Sequence, residues 1–350
     1  MPANELRLND LRLPPGFAIG VWAAGLADAR SMTLGPKGTL FVGTRVAGKI
    51  YAVIDRGDHR EVKTIASGLN SPNGVAMRGG SLFVAEVSRI LRYDNIEDRL
   101  DNPPAPAVVF DALPKDAAHG WKYLLLGPDG KLYFQIGAPG NIVNPPYTHA
   151  QIVRLNLGNN TIKTVALGVR NSVGMAFNPL TRDLWFTNNG RDMMGDDLPN
   201  DTLNKVAINA RGAHFGYPYC HQGDLPDPEF GKGRSCGDYD KPELKLGPHV
   251  APLGLRFYTG RMFPADYANN MFIAEHGSWN RSKKIGYRVV RVGLDKQGKV
   301  ARHEVFLSGW LQGEEAWGRP VDVQVMPDGA LLISDDQAGA IYRVSYKTPQ

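Results

Sequence analysis

The chain has 350 residues, 43% hydrophobic and 21% charged, with a formal net charge of +5, and no run approaches the roughly 20 apolar residues of a membrane helix. Lysine and arginine are dispersed among the acids without a basic run or basic helix, which argues against a nucleic-acid partner. Forty glycines and twenty-five prolines are spread along the whole length, as in a protein of many tight turns and not of disordered linkers.

The opening segment, MPANELRLNDLRLPPGF, has no basic n-region and no apolar h-region, so either a leader was removed or export is absent. Residues 16–23, GFAIGVWA, read as a strand. Six copies of one phrase follow, each an apolar strand, a turn rich in Pro, Asp, Asn or Gly, and a second apolar strand. They begin near residues 32 (MTLGPKGTLFVG), 74 (GVAMRGGSLFVA), 122 (KYLLLGPDGKLYF), 174 (GMAFNPLTRDLWFT), 254 (GLRFYTGRMFPADYANNMFIA) and 321 (VDVQVMPDGALLIS). Alternating apolar residues around such turns are β-hairpins, and six repeats of a hairpin predict an all-β, six-bladed β-propeller. KIYAVI, RILRYD, QIVRLNL and YRVVRVGL follow their hairpins as outer strands, which gives four antiparallel strands per blade. The strand at 16–23 is expected to pair with AIYRVSY at 340–346, closing the ring and removing an exposed edge. Helix signals are nearly absent, and residues 1–350 are expected to form one domain.

The uneven spacing of the repeats puts a long loop insertion at about 191–248, rich in Asp, Gly and Pro. It carries the two cysteines, Cys220 and Cys236, with no CxxC spacing that would suggest zinc. A disulfide is favoured over two free thiols, because a long excursion without secondary structure gains from a covalent closure. That bond in turn implies an oxidising compartment.

Four polar constellations lie next to the hairpins. His119 stands in HGW before the third hairpin, and a histidine can accept a proton near neutral pH. Arg170 and Asn171 precede the fourth, offering a planar donor fork and an amide. The run NNGRDMMGDDLPND, residues 188–201, has the hard oxygen groups that suit calcium, and reads equally as a solvated acidic loop. AEHGSWNRSKK, residues 274–284, and Arg319 bring further cations. His119, Arg170 and Arg319 occupy matching positions before three different hairpins, so in a ring they converge on the axis. The positive balance there favours an anionic small ligand.

These segments resemble the soluble quinoprotein glucose/sorbosone dehydrogenases. HGWKYLLLGPDGKLYFQIG and VRNSVGMAFNP are the most specific parts of the likeness, and AEHGSWNRSK resembles the sorbosone branch. The resemblance implies a dehydrogenase that oxidises an aldose or sugar aldehyde with pyrroloquinoline quinone (PQQ) and Ca2+, with His119 as the catalytic base. It further implies cofactor contacts from Arg170, Asn171, Asn189, His249, His276, Arg281, Lys283 and Arg319, and calcium held by the backbone carbonyls of Gly190 and Arg191. A soluble periplasmic or secreted enzyme and a separate electron acceptor, a cytochrome or a quinone, follow from it; the chain has no CxxCH of its own. Three positions depart from the family pattern: Ala138 stands where an Asp is usual, Lys122 where an Arg is usual, and Val321 where a second Arg is usual. Two other readings fit the same fold, a calcium-dependent lactonase and a redox-inactive binding propeller.

Overall fold

A computed structural model describes residues 1–347 apart from 208 and 211. Six four-stranded antiparallel sheets follow one another along the chain and form the blades of a β-propeller. In blade 1 the strands are Met32–Leu34, Leu40–Val42, Ile50–Asp55 and Arg60–Ala66; in blade 2, Gly74–Arg78, Ser81–Ala85, Ile90–Tyr93 and Ala107–Phe110; in blade 3, Leu125–Leu126, Leu132–Ile136, Gln151–Asn156 and Thr161–Leu167. Blade 4 has Met175–Phe177, Leu184–Asn188, Asn200–Val206 and Leu244–Pro248, and blade 5 has Pro252–Phe257, Met271–Glu275, Arg288–Leu294 and Val300–Leu307. Blade 6 takes Pro320–Val325, Leu331–Asp335 and Ala340–Tyr346, and its outermost strand is Phe17–Ala24 from the other end of the sequence. The register runs from Phe17 opposite Tyr346 to Ala24 opposite Ala340.

The six phrases read from sequence are the first and second strands of the six blades. Three of their turns, in blades 1, 3 and 6, have one geometry. Gly35, Gly127 and Met326 each donate their N–H to a carbonyl four residues on, at 2.8 Å, and Gly38, Gly130 and Gly329 follow at positive φ of 91°, 70° and 89°. That region favours glycine. Second strands such as Leu331–Asp335 are wholly buried, because neighbouring blades cover both of their faces. Outer strands such as Val300–Leu307 are largely exposed.

Two expectations need correcting. KIYAVI, RILRYD, QIVRLNL and YRVVRVGL are third strands; a fourth strand lies outside each, half exposed and more polar, so its apolar alternation is weak. The stretch 191–248 is not one loop. It contains the third and fourth strands of blade 4 and a small hairpin, Cys220–His221 with Leu225–Pro226, and the third strand reads NDTLNKV, polar enough to pass for a loop. The disulfide between Cys220 and Cys236 is present, with the Cα atoms 5.6 Å apart. No helix of the described residues is long and apolar enough to cross a membrane.

An aromatic cluster fastens the closing strand. The ring of Phe17 packs against Phe263, Phe306 and Tyr346 with centroids 4.8, 5.1 and 4.9 Å away. Phe17→Ala is expected to lower the free energy of unfolding by about 3 kcal/mol, measured by urea denaturation. A loss near zero would show that ring closure does not depend on this contact.

Candidate functional site

The loops that enter and leave the inner strands converge on a cleft of about 320 Å³ at one end of the ring. Every blade except blade 2 contributes to its wall: Arg30 and Arg45 from blade 1, His119 and Trp121 before blade 3, Arg170 to Asp201 from blade 4, His249 to Asn280 around blade 5, and Arg319 before blade 6. Of the residues expected from sequence, the cleft brings together His119, Arg170, Asn171, Asn189, Gly190, His249, His276 and Arg319.

His119 sits at φ 49°, a strained backbone for a non-glycine residue. The opposing Gly137 makes this position possible, since a Cβ there would come within 2.5 Å of the His119 Cβ. His119 Nδ1 lies 2.8 Å from the carbonyl oxygen of Ala138. A carbonyl only accepts, so Nδ1 carries the hydrogen and Nε2 keeps its lone pair. Burial and then the nearby Arg170 push the imidazole down to about 4, with Arg45 acting in the same direction. At neutral pH the ring is therefore an unprotonated acceptor. The position where the family has an Asp thus still orients the histidine, but through its main chain.

Arg170 is buried and held on four sides. Its guanidinium donates to the Asn141 carbonyl at 2.8 Å, the Asn141 side chain at 2.9 Å, the Asn189 carbonyl at 3.3 Å and the Asp192 carboxylate at 2.7 Å. It braces the cleft wall more than it offers free donors. Asn171 Oδ1 is buried and has no hydrogen-bond partner, a vacancy of the kind a ligand fills. Asn189 Nδ2 donates to Pro252 O at 2.9 Å and joins blade 4 to blade 5.

Asp201, the last residue of the acidic run 188–201, accepts the backbone N–H of Gly190 at 2.7 Å and of Ala251 at 2.8 Å. One buried carboxylate so fixes two loops of the cleft. Burial raises it to about 6, against the pull of those two N–H groups. Nearby Glu275 is raised by burial to about 7; Oε2 accepts from Arg288 at 2.6 Å while Oε1 has no partner.

On the opposite side Asp336 accepts from Arg30 and from His276 Nε2, the latter at 2.8 Å, and against the effect of burial these contacts with His276 and Arg30, and the nearby Arg319, hold its carboxyl well below the usual range. Arg319 donates to the carbonyls of His276 at 3.1 Å and Gly277 at 2.7 Å. His249 Nε2 donates to Gly195 O at 2.8 Å and ties the loop after Arg191 to the rim.

Three expected residues stay outside. Arg281 points to Asp196 O and Asp197, both at 2.8 Å, and Lys283 is exposed. The acidic loop pairs with Arg281 because it lies directly over it. The Arg191 side chain turns away to Asp227, 2.5 Å, and Glu229, while among the described residues no hydrogen bond occupies the carbonyls of Gly190 or Arg191. Sequence reasoning missed Arg30, Arg45 and Asp336; Asp192 and Asp201 lie in the acidic run 188–201 and the two-thirds-exposed Trp279 at the mouth in the run 274–284, without a role of their own being read. Arg30 had a usable signal, since it precedes its hairpin as Arg319 does.

Donors and free acceptors in the cleft suit an anionic, carbonyl-bearing ligand together with a hard cation. Arg319 offers guanidinium N–H groups, Asn171 Oδ1 is a free acceptor for an N–H donor, and the carbonyls of Gly190 and Arg191 are the oxygen type that calcium takes. An NMR titration of the His119 ring is expected to show a midpoint near 4; a midpoint at or above the ordinary 6.5 would contradict the setting described. Replacing both cysteines by serine is expected to cost about 3 kcal/mol for a loop of this length, read from urea unfolding with and without reductant; equal stability of the two forms would count against it.

The TrAA12-like family matches residues 11–228 and 226–347. An uncharacterized protein of Borreliella burgdorferi is 34% identical over 99% of this chain and 93% of its own length. A pyrroloquinoline quinone-dependent pyranose dehydrogenase of Coprinopsis cinerea is 32% identical over 24% of this chain, a stretch that is 13% of that protein. The holo form of the PQQ domain of a Coprinopsis cinerea pyranose dehydrogenase superposes with a TM-score of 0.82, covering 96% of this chain and 97% of that one at 19% identity. With residues 11–347 matched, the chain belongs to the TrAA12-like family.

Proposed function

We propose that the protein is a PQQ- and calcium-dependent dehydrogenase that oxidises a sugar at its anomeric carbon and passes the electrons to a separate acceptor. The observation that carries this reading is the state of His119, a neutral imidazole with Nδ1 tied to a backbone carbonyl and Nε2 free at a cleft rich in arginine. Such a group accepts a hydroxyl proton in the transition state. When bound, PQQ with its calcium supplies the two-electron hydride acceptor. Arg319 would pair with an acidic group of the cofactor, Asn171 Oδ1 would accept an N–H of the cofactor, and the carbonyls of Gly190 and Arg191 would hold the calcium.

The rest of the chain's work is positioning. Arg170 and Asp201 keep the two loops that frame the cleft in register, so the base and the cofactor contacts are set before a substrate arrives. Trp279, exposed at the mouth, presents a flat apolar face to a sugar ring. The disulfide fits a periplasmic or secreted location. The binding-propeller alternative drew on Ala138 and Val321; Val321 is buried in an apolar cluster with Val173 and Leu253, and the hydrogen bond from His119 to the Ala138 carbonyl supplies the orientation the missing carboxylate would give. The lactonase alternative needs acids from several blades on one ion; among the described residues no group of three His, Cys, Asp or Glu is so placed.

Reconstitution with PQQ and Ca2+ is expected to give the absorbance of bound cofactor and dye reduction with one or more aldoses. Absence of binding at saturating calcium would refute the proposal. His119→Ala is expected to lower kcat by about 10²- to 10⁴-fold with PQQ affinity retained; full activity in that variant would remove His119 from the role of base. With the ring neutral above about 4, kcat/KM should rise through that pH and stay level toward neutrality, as far as this group controls it.

A further inference from the structure

Four arginines line the cleft, and three already donate hydrogen bonds within the protein. Arg30 is paired with Asp336 and Asn73, Arg170 with Asp192 and three oxygens of Asn141 and Asn189, and Arg319 with the carbonyls of His276 and Gly277. Arg45 is different. Among the described residues its guanidinium meets no hydrogen-bond acceptor and no carboxylate within ion-pair distance; it is stacked on the face of Trp121 with its central carbon 3.8 Å from the ring centroid. The His119 imidazole lies on the same tryptophan, with centroids 6.2 Å apart.

Its place in the ring says which ligand it faces. Arg170, Asn171, Asn189, His276 and Arg319 come from blades 4 to 6, on one half of the cleft. His119 and Trp121 enter from blade 3. Arg45 leaves the second strand of blade 1 and reaches across blade 2, the one blade with no residue in the wall. A base must face the substrate, so a cation on the same tryptophan as the base lies on the substrate's side. The stacking also holds the planar fork in place before any ligand arrives, which lowers the entropy lost on binding.

We propose that the sugar accepted at this site is acidic, a hexuronate whose carboxylate pairs with Arg45 while its anomeric hydroxyl faces His119 Nε2. The inference rests on the sugar-oxidation reading and adds the substrate class. A pyranose bridges the two groups, with the carboxylate on the carbon at one side of the ring oxygen and the anomeric hydroxyl at the other. The pairing is charge-assisted and bidentate, and a neutral aldose leaves it unmade. In the reaction the hydroxyl proton goes to His119 Nε2, the anomeric hydride goes to the quinone cofactor, and the uronate leaves as a lactone oxidised by two electrons.

The test is titration calorimetry of the full chain, reconstituted with PQQ and calcium, against D-glucuronate and D-glucose. Glucuronate is expected to bind about 10- to 100-fold more tightly. Arg45→Met should bring that ratio close to one and Arg45→Lys should restore part of it, while the PQQ affinity of both variants, followed by absorbance, stays within about twofold of the parent. Equal affinity for the two sugars, a ratio indifferent to Arg45→Met, or a loss of PQQ affinity in place of uronate preference would each overturn the proposal. Failure of the protein to bind PQQ at all would sink the oxidation reading instead; the glucuronate to glucose ratio of the cofactor-free protein, with and without Arg45→Met, then decides the role of Arg45.

Discussion

The pairing of Phe17–Ala24 with Ala340–Tyr346 is the contact on which the cleft depends. No single blade holds a site; the wall is assembled from five of them, and their loops face one another only when the ring is shut. An open ring would leave the third strand of blade 6 as a bare edge and let blades 1 and 6 drift apart. Arg30 and Asp336 join those two blades at the rim of the cleft, so the seam of the ring runs beside the chemistry. The N-terminal segment adds to the closure, with Arg12 bridged to Ser308 and the terminal amine donating to Ala338 O at 2.7 Å.

Inside that frame the electrostatics are uneven by design of position. Cations on the blade 6 side hold Asp336 ionised, whereas Asp201 and Glu275, with backbone N–H groups or one arginine for company, are raised toward neutrality by burial. Burial first, and then the same surplus of positive charge that suits an anionic ligand, keep the His119 ring unprotonated. A neutral imidazole and an anion site are therefore compatible neighbours: the field that attracts an anion also disfavours protonation of the ring.

The inner hairpins were legible because a turn with glycine at positive φ and two apolar strands leave a local imprint, repeated six times. His119, Arg170 and Arg319 were legible for the same reason, standing at one point of the repeat. Arg45 was not, since it follows its hairpin and reaches the cleft only by crossing blade 2. Asp201 was visible only as the end of the acidic run 188–201, read as calcium ligands or a solvated loop, and its role lies in two backbone N–H groups that no motif records. Arg281 and Lys283 look as attractive as Arg319 in sequence, yet the acidic loop at 196–197 takes Arg281 and solvent takes Lys283. Local pattern carries the scaffold; which cation remains unpaired is decided by contacts between distant loops.

The bond from His119 to the carbonyl of Ala138 has one more implication. A main-chain acceptor is the same whatever residue occupies the position, provided the side chain fits a site with no exposed surface. The orientation of the imidazole is thereby shielded from mutation at 138 and from titration of a partner. A change of side chain at 138 that fits the buried site would therefore leave the imidazole oriented as it is.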